Sequence, residues 1–498
     1  MRKYILAIDQ GTTGTTAIIF DNSGRPVCRG YQEFTQYYPQ PGWVEHDPEE
    51  IWQATAGAIQ DALYGPVGVD EIAVIGITNQ RETTVAWNRH TGQAEGNAVV
   101  WQCRRTAPMC QQLKDAGYAE LFHQKTGLVL DPYFAGTKMA WLLENRTGLR
   151  AKAEKGEICF GTIDSWLIWC LTGGKRHVTD YTNASRTLLY DIGRLEWDPE
   201  LLETLNIPPQ VLPEVLPSCG FFGVTNGIAC LPDGIPIYGV AGDQQAALFG
   251  QTCFQPGMVK NSYGTGCFML MNTGSEPIVS KQGLLTTIAW GLEPGKVVYA
   301  LEGSVFIAGA VVQWLRDELG IIEHAAETEQ LAAAVENSAG VYLVPAFVGL
   351  GTPYWDPYAR GVLVGLTRGV NRNHLVRAAL ESIAYQSRDV LLAMQKEANI
   401  SIPVLRVDGG ASVNNFLMQF QADVLDIVVE RPRVTETTAM GAAFLAGLGC
   451  GLWSDLDVVA GTWEKENQFD PKMSQERREH LCHGWRRAVE RSLGWIEH

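Results

Sequence analysis

The sequence has no apolar run long enough to cross a membrane. Its longest, Ser304 to Leu315, falls well short of the ~20 residues that a spanning helix needs. Behind Arg2 and Lys3 the first apolar run stops at Asp9, too short for a signal-peptide core. The eleven cysteines include no C-x-x-C and no Cys/His group at zinc spacing, and Cys103 and Cys110 are the nearest pair. This excludes a zinc module and a disulfide framework, and it predicts reduced, buried thiols. Positive charge is also scarce: 39 Lys and Arg stand against 55 Asp and Glu, a net charge of −16. Such a surface repels phosphate backbones, so no nucleic-acid partner is expected. No Gly-Lys-Ser/Thr follows any glycine-rich turn, which excludes a Walker loop. The expectation is a cytoplasmic protein with no membrane insertion.

What is present is ordinary and globular: 498 residues, 46% hydrophobic and 19% charged, too long for one core and so two or more domains. Near the start, two β-rich runs, Tyr4 to Ile8 and Ala17 to Phe20, flank Asp9-Gln-Gly-Thr-Thr-Gly-Thr-Thr16. This reads as a hairpin. Its tip offers a carboxylate, glycines that let backbone N–H groups approach an anion, and threonine hydroxyls. Asp9 at a strand end is suited to Mg²⁺. A strand follows these glycines where a dinucleotide fingerprint would open a helix.

Farther on, Asp47-Pro48-Glu49-Glu50 predicts a helix start with a capping box closed by Glu50. His46, with no partner in sight, reads as a surface or capping neighbour. A buried strand, Ala73 to Thr78, leads to Arg81 and Glu82, either a surface ion pair or the wall of a pocket at a strand's carboxyl end. A second strand, Ala98 to Val100, ends at Trp101 and a pair of arginines, followed by Asp131-Pro-Tyr133-Phe134. Gly161 to Trp169 reads as a capped core helix, Val178 to Arg186 as polar and turn-rich, and Pro208 to Pro236 as connecting loops. Ile237 to Gly242 is a strand that runs into Asp243-Gln244, where the carboxylate serves as a helix cap or as a general base.

After a boundary near Gln251 to Pro256 the opening pattern recurs: strand, Tyr263-Gly-Thr265-Gly, strand. One such hairpin in each half indicates an internal duplication. Gly303 to Trp314 reads as a small-residue helix, Gly361 to Leu366 as a strand, and Leu375 to Leu392 as a long helix. A strand then ends in Asp408-Gly-Gly410, glycines on which a flat base or sugar can lie. Glu436 to Ala443 begins another small-residue helix, and the chain from about Glu464 reads as an amphipathic surface helix.

In this order the Asp9, Tyr263 and Asp408 motifs resemble the two phosphate loops and the adenosine loop of the actin-like ATPase superfamily. Phe347-Val-Gly-Leu-Gly-Thr-Pro353 with Arg360-Gly361 and Gly365-Leu366 looks like the signature of the FGGY carbohydrate kinases. Asn79 to Thr84, Trp101 to Arg105, Asp131 to Phe134 and Ala241 to Gly250 extend the likeness through the chain. The resemblance implies an α/β fold of two actin-like (ribonuclease H-like) ATPase domains, 1–250 and 251–498, with a nucleotide cleft between them. It implies ATP-dependent phosphorylation of glycerol, with Mg²⁺. Arg81, Glu82, Tyr133, Asp243 and Gln244 match the groups that hydrogen-bond the triol, and Trp101 and Phe268 its aromatic walls. Thr12, Thr13, Gly14, Thr16, Thr265, Gly309, Gln313, Gly410 and Asn414 fall at nucleotide positions. Asp9 and Asp243 fall at metal-associated ones, and Asp243 is the implied general base. Family members are often dimers or tetramers, so a homo-oligomer is expected.

The chain departs from the family pattern in places. Thr16 stands where well-known members carry arginine. Thr225 to Gly234 lacks the basic glycine-rich segment that binds fructose 1,6-bisphosphate in some bacterial members. No histidine lies between His177 and His324, where other members are phosphorylated, and the segment near Gln475 differs from a regulatory docking site. The alternatives are a kinase for another small polyol or ketose, and a non-kinase ATPase or sensor.

Overall fold

The computed structural model describes residues 3–497. Two twisted sheets dominate. The first is built from β1 (Tyr4–Gln10), β2 (Gly14–Phe20), β3 (Pro26–Glu33), β4 (Ile72–Asn79), β5 (Phe221–Val224) and β6 (Pro236–Gly242), in the order β5-β6-β4-β1-β2-β3. The second holds β7 (Val259–Tyr263), β8 (Cys267–Gly274), β9 (Leu285–Glu293), β10 (Lys296–Val305), β11 (Val404–Asp408), β12 (Val428–Pro432) and β13 (Lys465–Phe469), in the order β9-β10-β8-β7-β11-β12-β13. From β3 to β6 the pairings run antiparallel, antiparallel, parallel, parallel. From β10 to β12 they repeat that pattern. The duplication read from two glycine-rich tips thus extends to a shared five-strand topology.

The main helices are α1 (Pro48–Leu63), α2 (Asp243–Gly250), α3 (Gly309–Asp317), α4 (Arg372–Ala398), α5 (Asn415–Leu425), α6 (Thr437–Gly449) and α7 (Gln475–Glu490). A smaller sheet, which includes Thr84–Asn88 and Ile158–Thr162, flanks the first half. It carries the buried helix Ile163–Leu171.

The two halves exchange helices. α6 lies on β1, β4 and β6 of the first sheet, and α2 lies on β7, β8 and β9 of the second. Ile5, Ala7, Ile18 and Val74 share one core with Ala443, Phe444, Leu270 and Trp290. The crossing is close because both helices present glycine. A Cβ at Gly441 would stand 1.8 Å from the Ala246 carbonyl oxygen. Gly441→Ala therefore overpacks the crossing by about 1–3 kcal/mol, more than the ~1 kcal/mol of helix propensity that alanine returns. The expected result is a melting temperature lower by a few degrees in calorimetry. An unchanged or higher value would show that the crossing relaxes.

Several local expectations are corrected. Asp47 caps α1 through the Glu49 N–H, but Glu50 closes no box: it accepts from Tyr37 Oη and the Thr35 N–H, which reach it first. His46 directly precedes the Asp47 cap, as expected of a capping neighbour, but it is fully buried and not at the surface. Gly303 to Val305 belongs to β10, and the helix begins only at Gly309. Val178 to Arg186, expected to be turn-rich, is mostly regular structure. It forms a strand, Val178–Asp180, and a short helix, Tyr181–Ala184, all buried. The Pro208 to Pro236 region contains β5 and another short strand, Glu214–Leu216, as well as loops. Lys465–Phe469 is an edge strand, so the terminal helix starts only at Gln475. Among the described residues every cysteine is free, and no helix is long and apolar enough to cross a membrane.

Candidate active site

β1, β4 and β6 are parallel neighbours in register: Asp9 pairs with Thr78, which pairs with Ala241. Their carboxyl ends therefore open at one edge, where ligands collect in such sheets. There Gly11 N–H bonds the Gly14 carbonyl at 2.9 Å and closes the first hairpin tip. The backbone N–H groups of Thr12 and Thr13 donate to no protein acceptor among the described residues. Two adjacent free donors make an anion-binding concavity.

The second tip is closed by Gly264 N–H on the Gly266 carbonyl at 2.9 Å, and it rests on the start of α3, where Gly309 N–H bonds the Gly264 carbonyl at 2.9 Å. A Cβ at Gly309 would lie 2.5 Å from that oxygen, so glycine is required there for packing. Gly264 and Thr265 stay exposed, as does Gln313 on α3. At the third motif the Asp408 carboxylate turns inward and accepts from Gln251 at 2.8 Å and Thr437 at 2.7 Å. A Cβ at Gly410 would meet nothing within 4 Å, which leaves a bare backbone face. Asn414 caps α5 through Leu417 N–H and donates to Thr328. Gly14 lies in β2, and Thr16 pairs with Asp9 across the hairpin.

The polyol-type residues gather beside the first tip. The turn Arg81-Glu82-Thr83 is tight, with Thr83 N–H on the Arg81 carbonyl at 2.7 Å and Glu82 at φ 61°. It points both charged side chains inward, where they are buried and not a surface pair. Arg81 grips Glu302 of β10 with two bonds, at 2.6 and 2.9 Å. It also reaches Tyr133 Oη at 3.3 Å and Asp243 Oδ1 at 3.2 Å. Arg186 completes the cluster, bonding Glu82 at 2.7 Å and Glu302 at 3.1 Å.

Burial would raise the Glu302 carboxyl, but the guanidiniums of Arg186 and Arg81 outweigh it and hold it at about 2. Trp101 meets Tyr133 edge-on at 5.7 Å and donates its indole N–H to Thr12 Oγ1 at 3.0 Å. The aromatic wall thus touches the phosphate-type loop directly. Gln244 is fixed by Lys260 of β7, whose ammonium also donates to Ser262 Oγ at 3.0 Å and to the carbonyl of Phe268 at 3.2 Å. Burial lowers Lys260 to about 8, against the pull of Asp408 and Asp243.

The cap of α2 is Gly242, and Asp243 is its first residue. Asp243 Oδ1 takes the Gln244 N–H at 2.7 Å as well as Arg81. Its Oδ2 meets no hydrogen-bond donor among the described residues.

Residues 4–250 match the N-terminal domain of the FGGY family of carbohydrate kinases, and residues 259–450 match its C-terminal domain. The chain belongs to the FGGY family of carbohydrate kinases. It is 60% identical over 501 residues to "Glycerol kinase 2" of Thermotoga maritima, with 99% of each chain covered. It is 59% identical to "Glycerol kinase" of Caldanaerobacter subterraneus, over the whole of both chains. Its structure matches that of Plasmodium falciparum glycerol kinase with ADP at a TM-score of 0.93 and 38% identity, with 99% of each chain covered. The fold is accordingly the two-domain α/β architecture of the FGGY kinases, with a cleft between the domains.

Within this FGGY site, Arg186, Glu302 and Lys260 were not legible as site residues beforehand. The signal available for Glu302 was a lone carboxylate after the apolar stretch Val297 to Leu301; Lys260, in the mixed strand Val259–Tyr263, carried none. No group of three or more His, Cys, Asp and Glu converges as a metal site among the described residues. The donors present are Asp9 and Asp243. Burial and then the Asp243 charge raise the Asp9 carboxyl to about 7, with Arg29 opposing. Two carboxylates sharing an edge fit a hydrated Mg²⁺ whose remaining ligands are water and phosphate oxygens.

Proposed function

We propose that the protein transfers the γ-phosphoryl group of ATP to a terminal hydroxyl of glycerol, giving sn-glycerol 3-phosphate and ADP. The observation that carries the reading is the contact between the two halves of the site. Trp101, a wall of the polyol pocket, bonds Thr12 of the first phosphate loop at 3.0 Å, so acceptor and donor are brought to the same strand ends. The near-complete coverage at about 60% identity by relatives named glycerol kinase supports the choice of triol.

Arg81, Glu82, Tyr133 and Gln244 orient an uncharged three-carbon triol, while Trp101 and Phe268 cover its C–H edge and exclude water. Asp243 Oδ2 takes the proton of the terminal hydroxyl. The freed oxygen forms its bond to the γ-phosphorus as the bond to the β–γ bridging oxygen breaks. Thr12, Thr13 and Gly14 on one hairpin and Thr265 on the other hold the phosphates by N–H and hydroxyl donors. Gly309, Gln313, Gly410 and Asn414 line the nucleotide side, and Thr16 borders Asp9. Mg²⁺, held through Asp9 and Asp243, supplies positive charge to the phosphoryl oxygens. The domain division at 1–250 and 251–498, a cytoplasmic setting consistent with eleven free thiols, and a homo-oligomeric state belong to the same reading.

Purified protein with MgATP is expected to release ADP in a coupled assay strongly with glycerol and weakly with dihydroxyacetone, erythritol, xylulose or no acceptor. The product should have the mass of a glycerol phosphate. Faster turnover with another polyol would replace the acceptor. ADP release indifferent to every acceptor would overturn the kinase reading.

A further inference from the structure

The phosphotransfer reading leaves a group of polar side chains behind the first hairpin without a task. Gln10 Nε2 donates to the Gly11 carbonyl at 2.7 Å, and Gln80 Nε2 reaches the same carbonyl at 3.1 Å. Gln36 Nε2 donates to the Thr12 carbonyl at 2.8 Å. Both carbonyls of the tip are therefore pinned toward the protein interior. In a trans peptide the N–H points opposite to the C=O of the same unit. Pinning the Gly11 and Thr12 oxygens inward thus turns the Thr12 and Thr13 N–H groups outward, and these are the two donors that have no protein acceptor.

The glutamines are themselves oriented. His46 is fully buried, and burial holds its imidazole down at about 4 despite the Glu50 charge, so it is neutral and carries one N–H. The 2.6 Å contact between Nε2 and Gln36 Oε1 assigns that hydrogen to Nε2. It leaves Nδ1 as the acceptor facing Gln80 Nε2 at 3.4 Å. With its oxygen committed to His46, Gln36 must present its NH₂ to Thr12. Gln80 is held from its other side, because Thr83 Oγ1 donates to Gln80 Oε1 at 3.0 Å and itself accepts the Trp101 backbone N–H at 3.2 Å.

We propose that His46, Gln36 and Gln80 are positioning residues that preset the first hairpin for phosphate and tie it to the polyol wall. The inference rests on the phosphotransfer reading. None of the three touches substrate in this scheme; they act through the Gly11 and Thr12 peptides and through Thr83. Fixing the peptide planes before the nucleotide arrives removes a reorganisation that would otherwise be made in the transition state.

Full-length Gln36→Met keeps the length of the side chain and removes the donor; Gln36→Glu leaves only an acceptor opposite the Thr12 carbonyl. Both are expected to lower kcat/KM for ATP about tenfold or more, the scale of one lost orienting hydrogen bond. KM for glycerol should stay within about twofold and the melting temperature within a few degrees. His46→Leu, which frees Gln36 and leaves Gln80 held by Thr83 and Gln10, should show the same one-sided pattern. A merely structural role would lower the melting temperature and leave the ratio of the two KM values unmoved. Folded Gln36→Met and His46→Leu proteins with wild-type kcat/KM for ATP would overturn the inference. MgADP titration calorimetry on the wild type separates this from the parent reading: a wild type that binds no MgADP overturns both, whereas one that binds it leaves the variants to decide.

Discussion

Asp243→Asn is expected to lower kcat by about 10³-fold or more while MgADP affinity stays within a few-fold. General-base groups typically supply 10²–10⁴, and this substitution also places a donor where the proton must go. Asp243 Oδ1 is already committed to the Gln244 N–H and Arg81. An asparagine carbonyl accepts the same two bonds, so its NH₂ is forced into the Oδ2 position facing the cleft. Geometry is retained and the base is lost. The coupled assay and MgADP calorimetry measure the two halves of the statement. Turnover within about tenfold of wild type would remove Asp243 from the base role. Recovery of turnover at high Mg²⁺ would assign the loss to cation binding instead.

Glu302→Gln is expected to cost roughly 3–5 kcal/mol of stability, the scale of breaking a buried ion pair from one side. Arg81 and Arg186 would be left in the interior with Glu82 and the partly exposed Asp243 as the remaining carboxylates of the cluster. Because Glu302 also fixes the guanidinium of Arg81, which is proposed to orient the triol, KM for glycerol should rise about tenfold or more in whatever protein folds. Denaturant melts and acceptor titrations test both. The same residue sets a pH dependence. Its folded pKa is about 2, below the ordinary ~4.3 of a free glutamate. Its stabilisation is therefore fully present above pH ~4.3 and is lost as pH falls toward 2. In Glu302→Gln the acid limb of the stability profile should be correspondingly flatter. A mutant as stable as wild type, with the same acid limb, would mean that Arg81 is neutralised elsewhere.

Some of this was legible in the chain before the fold was known. The hairpins were, because short apolar β-rich runs and Gly/Thr tips are local properties. So was the clustering at strand ends, since Trp101 and Asp243 each follow an apolar run directly and Arg81 follows one within a few residues. Arg186 and Glu302 were not, because their meaning lies in partners far along the chain: Arg81 and Glu302 are 221 residues apart. Lys260 was not, because its nearby partners Gln244, Ser262 and Phe268 converge on it only in the folded sheet. His46 misled for the same reason. The Gln36 and Gln80 amides that give it a buried place come from a different loop and a different strand end, and no spacing rule joins them. Glu50 failed as a capping residue because a phenol and a backbone N–H outcompeted a bond that propensity favours.

The exchanged helices α2 and α6 bear on how the chain is made. The first sheet is complete once Gly242 has been synthesised, yet the face that receives α6 stays open until Thr437–Gly449 appears. About 190 further residues separate these events; at 5–20 residues per second the ribosome takes roughly 10–40 s to deliver them. For that interval Ile5, Ala7, Ile18 and Val74 lack their permanent cover. The N-terminal half is thus a ready client for chaperones during translation, and a fragment ending at residue 250 is expected to aggregate when expressed alone.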